Sequence, residues 1–167
     1  SVLVLIKYDK GHACRKKLLY LAFVFAGGFF IEVVGVNTGL IFGHYNYGEG
    51  LGIKLFDTPL MIGLNWALMV YLSAAVVRSF RRNFLFQVLL PSTIMVAYDV
   101  IMEQVAPKMD MWNWAGETIP LQNYLLWATI AVVFHAVRYF ISLEVKNKMA
   151  LPILIIQSVF FLLIWLI

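Results

Sequence analysis

Charge is what this sequence has least of. Of its 167 residues only 13% are Asp, Glu, Lys or Arg, while 62% are hydrophobic. A soluble domain carries about 25% charged residues. The shortfall, with apolar runs near 20 residues, excludes an ordinary soluble domain and reads as a polytopic membrane protein. The single cysteine, Cys14, excludes a disulfide framework and offers no zinc-ligand spacing. His12, His44 and His135 occupy unrelated segments and H-E-x-x-H is missing, so no metal centre is expected. No lysine lies mid-span, which argues against a Schiff-base pigment. Nucleophile motifs, phosphate-cradling loops and dinucleotide fingerprints are missing too. The net charge of +4 is dispersed between apolar stretches and is not a nucleic-acid footprint.

What the chain does have is five apolar segments, at approximately 18–38, 58–78, 83–106, 120–141 and 149–167. Each approaches the ~20 residues that cross ~30 Å of hydrocarbon. The expected architecture is all-α: one integral membrane domain over residues 1–167, a transmembrane helical bundle of about five full spans. The opening S-V-L-V-L-I reads as the tail of a truncated preceding span, and L-L-I-W-L-I ends the chain without a polar tail. Pro59 and Pro120 sit near helix starts, Pro152 lies in the first turn of the last span, and Pro91 should kink the third. Lys and Arg cluster within 7–17, 78–82 and 138–148, on one side of the spans, whereas only Lys54 and Lys108 fall on the other. The positive-inside rule makes the first side cytoplasmic, in a bacterial inner membrane.

That topology sets depth. Glu32 lies about six residues, roughly 9 Å, below the outer end of the first span. Asn65 and Trp66 lie about as deep in the second, Asp99 and Glu103 in the third, and Asn123 and Trp127 in the fourth. Four helices thus carry polar residues into one layer, the outer leaflet, with no comparable set expected in the cytoplasmic half. An ionisable side chain at such depth costs roughly 2.5–3.5 kcal/mol on insertion scales and is a functional-site hypothesis by default. Two loops face this layer: a glycine-rich one at 39–57 with Tyr45 and Tyr47, and one at 107–119 with Trp112 and Trp114. An interfacial aromatic belt explains single Trp and Tyr residues. The glycines favour a lid folded over a pocket.

Asp99 and Glu103, at i and i+4, share a helix face. Two such carboxyls in a low dielectric do not both ionise cheaply, so one is expected to keep a proton. A protonated carboxylic acid beside aromatic rings suits proton donation to an electron-rich substrate, with Glu32 a third member of the set. The bland counterpart is a hydrogen-bonded network of Glu32, Asn65, Asp99 and Asn123 that only pins helices together. The D-x-x-x-E spacing also suits Mg²⁺-diphosphate sites, but the second acidic cluster and basic phosphate ligands that these need are missing.

The same residues carry a resemblance. Glu32 followed by T-G-L-I-F-G-H-Y-N-Y (38–47), D-V-I-M-E-Q-V-A (99–106), and W-N-W (112–114) with I-P-L-Q-N-Y-L-L-W (119–127) resemble motifs of the membrane carotenoid hydratase family. That family is of the bisanhydrobacterioruberin hydratase and γ-carotene 1′-hydroxylase type, and the likeness covers about residues 28–130. Val100 and Gln104 stand where the family pattern carries proline.

The resemblance implies a cofactor-independent carotenoid 1,2-hydratase acting on a polyene among membrane lipids. Asp99, Glu103 or Glu32 would supply the acid. Trp66, Trp127, Tyr45 and Tyr47 would stabilise a carbocation, Trp114 would join them in binding the substrate, and Asn65 or Asn123 would hold the water. Three other readings compete: an end-group cyclase, a non-catalytic pigment- or lipid-binding subunit, and a proton-coupled transporter. The last requires polar residues that continue to the cytoplasmic side.

Overall fold

The computed structural model describes residues 14–78, 83–116 and 118–167. The preceding-span reading of residues 1–6, together with His12, lies outside them. Five long helices follow the expected segments closely: α1 Cys14–Thr38, α2 Leu60–Val77, α3 Leu90–Val105, α4 Leu121–Phe140 and α5 Ala150–Leu166. A π-helical turn, Leu85–Leu89, leads directly into α3. Three stretches, Arg15–Thr38, Leu60–Val77 and Leu85–Val105, are long and apolar enough to cross a membrane, and Ala150–Leu166 is a shorter apolar helix. Leu121–Phe140 carries Gln122, Asn123, His135 and Arg138, which dilute its hydropathy.

Burial is distributed as in a bundle surrounded by an apolar medium. The core centres on α2, where Trp66, Met69, Val70 and Leu72 are fully buried. Large apolar side chains stay exposed along outer helices, among them Leu18, Phe23 and Phe30 of α1 and Ile156, Phe160 and Leu163 of α5. Water penalises such stripes at about 25 cal/mol per Å², a cost that lipid removes.

Pro91 lies at the start of α3, directly after the π-helical turn, and has a consequence for hydrogen bonding. Its missing N–H leaves the Gln87 carbonyl without its helical donor. The buried Arg138 guanidinium of α4 donates to that carbonyl and also to Leu143 O, at 3.3 Å. This end of the bundle, which also holds Arg78 and Lys16, is termed the basic end. Ser73 and His135 form a second buried polar pair toward it, with Oγ and Nε2 3.1 Å apart. The expectation that polar side chains would be confined to one layer is therefore corrected. Within a continuous helical run, Pro91 frees a carbonyl that a buried side chain must satisfy.

At the opposite end the two loops are not irregular. Tyr45–Tyr47 forms β1 and Trp112–Trp114 forms β4, antiparallel, with Tyr45 opposite Trp114 and Tyr47 opposite Trp112. Between them in sequence, β2 (Lys54–Leu55) and β3 (Thr58–Pro59) make a separate short hairpin. Bonds from Gly48 N to Met111 O and Ala115 N to His44 O extend the ribbon at both ends. A Cβ at Gly48 would lie 2.2 Å from the Asp110 carboxylate, so only glycine allows this approach.

Candidate functional site beneath the ribbon

Strand geometry organises the site. Alternate residues of a strand point to opposite faces, so Tyr45 and Tyr47 turn inward with Trp112 and Trp114, while Asn46 and Asn113 are exposed. The two inward pairs find different carboxylates. Both phenols donate to Glu32 Oε2, Tyr45 at 2.7 Å and Tyr47 at 2.8 Å. Both indoles donate to Glu103 Oε2, Trp112 at 3.0 Å and Trp114 at 2.8 Å. The ribbon is thus latched to α1 through one acid and to α3 through another.

The remaining oxygens are met from the bundle. Trp66 Nε1 of α2 donates to Glu32 Oε1 at 3.1 Å. The Trp66 ring lies over Gly28 of α1, where an added Cβ would come within 2.5 Å. It stacks on Trp127 of α4 with centroids 3.9 Å apart. Asn123 Nδ2 donates to Glu103 Oε1 at 2.9 Å and, at a long 3.4 Å, to Asp99 Oδ2. Glu32 and Glu103 therefore each accept three hydrogen bonds. An indole N–H can only donate, so the oxygens facing indoles must be acceptors. Asp99, 1% exposed, receives from the described residues only the long Asn123 contact.

Burial, followed by the facing Glu32 carboxylate, pushes the Tyr45 and Tyr47 phenols well above the ordinary tyrosine range. They remain protonated donors at any physiological pH.

A small cavity of about 20 Å³ lies among these groups, lined by all three carboxylates with Tyr45, Tyr47, Asn65, Trp114, Asn123 and Trp127. That is room for about one water. Every site residue expected from the sequence thus converges here; Trp66 stands just behind, through Glu32 and Trp127. Trp112, Phe42 and Ile62 also line the cavity; the sequence placed Trp112 in the loop facing this layer but not among the site residues, and it did not single out Ile62. The signal for Trp112 was available: Y-N-Y and W-N-W both alternate with period 2 and pair in register. Among the described residues no three His, Cys, Asp or Glu side chains are grouped to hold a metal ion.

A membrane-compatible helical bundle enclosing a one-water acidic cavity beneath an aromatic ribbon defines the class. The particular family follows from comparison: the chain belongs to the carotenoid biosynthesis protein family, whose sequence model matches residues 2–167. No curated protein and no solved structure matches it significantly.

Proposed function

We propose that the protein adds water to the terminal double bond of an acyclic C40 or C50 carotenoid, with Asp99 as proton donor. The observation that carries this reading is the unequal treatment of three carboxyls around one small cavity. Glu32 and Glu103 are saturated with donors and serve as fixed negative charge. Asp99 lacks comparable partners and is the group that holds a transferable proton. Its carboxyl protonates C2 of the terminal C1=C2 bond, leaving a tertiary cation at C1. Glu32, Glu103 and the faces of Tyr45, Trp114 and Trp127 stabilise that cation, each ring by roughly 0.5–2 kcal/mol. The enclosed water attacks C1, and the proton it releases restores Asp99. Hydrogen and hydroxyl add across the bond, and no cofactor is consumed.

Hydration is favoured over end-group cyclisation because a cyclase must keep water from the same cation, whereas this cavity has the size and polarity to admit one. In this reading all five helices cross the inner membrane, the basic end faces the cytoplasm and the acid cavity lies toward the outer leaflet. The test is expression in a lycopene-producing bacterium, with γ-carotene and C50 precursors as further substrates and pigments resolved by mass spectrometry. A gain of one water per end group, lost in Asp99→Asn, is expected. Unchanged pigments from well-expressed protein on all three substrates would leave a non-catalytic pigment-binding subunit as the better account.

A further inference from the structure

The acid cavity is far too small to hold the substrate it acts on, so the polyene must lie elsewhere and present only its tip. A second cavity adjoins it. A groove of about 450 Å³ runs between α2, α3 and α5, walled by Met61, Leu64 and Leu68, by Tyr98 and Met102, and by Phe161. Its lining is mainly apolar, and Met61 and Leu64 at its edge are exposed on the apolar flank of the bundle. The groove and the acid cavity share three wall residues, Ile62, Asn65 and Trp112. The two spaces therefore share a wall.

We infer that this groove is the polyene-binding channel, entered sideways from the bilayer, and that the shared wall of Ile62, Asn65 and Trp112 opens as a window that sets the reacting double bond against the acid cavity. This rests on the hydration reading for what happens at the tip, but not for where the chain lies. Three features support it. An apolar ligand dissolved in lipid reaches a lateral groove without crossing water, and pockets for such ligands are largely apolar with a few placed polar groups. The groove shares a wall with the acid cavity. Asn65 is half-buried at the window and makes no hydrogen bond to any described residue, whereas Asn123 is committed to Asp99 and Glu103. Asn65 is thus the amide free to position the attacking water as the tip arrives.

The test uses the full chain in phosphatidylcholine vesicles containing lycopene, with the polyene's induced circular dichroism reporting binding. Leu68→Trp fills the middle of the groove and Met61→Trp narrows its mouth. Leu125→Trp, on an exposed face of α4, is the control. The expected result is weakening of lycopene binding by about ten-fold or more in Leu68→Trp, less in Met61→Trp and none in Leu125→Trp. A thermal transition like that of the parent verifies folding of each variant. Equal binding by both groove variants and the control would overturn the proposal, as would product formed at the parental rate by folded Leu68→Trp. If the parent binds lycopene in a groove-dependent way yet adds no water, the hydration reading falls and the channel stands.

Discussion

The two ends of this bundle bury ionisable groups in opposite ways. At the basic end, Arg138 is 5% exposed and its guanidinium is spent on the carbonyls of Gln87 and Leu143. Its charge repairs backbone that Pro91 and a helix terminus leave open. At the ribbon end, Glu32 and Glu103 are met by side chains brought from residues 45–47 and 112–114, far away in sequence. Those donors reach across open space to enclose a cavity, and they leave the neighbouring Asp99 nearly without partners. A buried charge committed chiefly to backbone carbonyls holds structure together. A buried acid denied partners beside a cavity is equipped for chemistry.

Separating activity from stability sharpens this contrast. The largest effect expected is from Asp99→Asn, which keeps shape and removes the proton: turnover falls by about 10²–10⁴-fold, the usual contribution of a general acid, while the thermal transition hardly moves. Arg138→Met should do the reverse. Two buried carbonyls lose their donor at about 1–3 kcal/mol each, lowering the melting temperature by several degrees, while turnover per folded molecule is retained. If Arg138→Met removed activity from folded protein, the division between the ends would fail.

Smaller effects test the latch. Tyr47→Phe should cost about 1 kcal/mol, the value of one hydrogen bond, and speed amide exchange in residues 44–48. Asn46→Ala, on the outward face of the same strand, should change neither. The smallest effect is in pH. Tyr45 and Tyr47 have their ionisation raised in the folded state. Their contribution to stability is therefore complete below the unfolded tyrosine value near ~10 and declines as pH rises above it. Ultraviolet titration of the folded protein should show the same tyrosine ionisation near ~pH 10 in the parent and in a Tyr45→Phe/Tyr47→Phe double variant.

Most of this arrangement was legible in the sequence because long apolar helices leave few choices. Helix ends fell within a few residues of expectation, and the depth of Glu32, Asn65, Asp99 and Asn123 along their helices predicted a shared layer. Which donor serves which acid was not legible. That depends on the pairing of Y-N-Y with W-N-W across more than sixty residues, and three-residue strands give only a faint periodic signal. The buried pair Ser73 and His135 and the Arg138–Gln87 contact were missed for another reason. The second answers the carbonyl freed by Pro91 and the first depends on which faces of α2 and α4 meet, and composition reveals neither.

The central claim is that Asp99 delivers a proton to an alkene and solvent supplies the oxygen. Its most direct test is conversion of lycopene by the reconstituted protein in water labelled with deuterium and oxygen-18, with Asp99→Asn alongside. The account predicts a product carrying one solvent deuterium at C2 and one solvent oxygen at C1 of each reacted end, and no product from the variant. Oxygen derived from dioxygen, or undiminished turnover by folded Asp99→Asn, would contradict it.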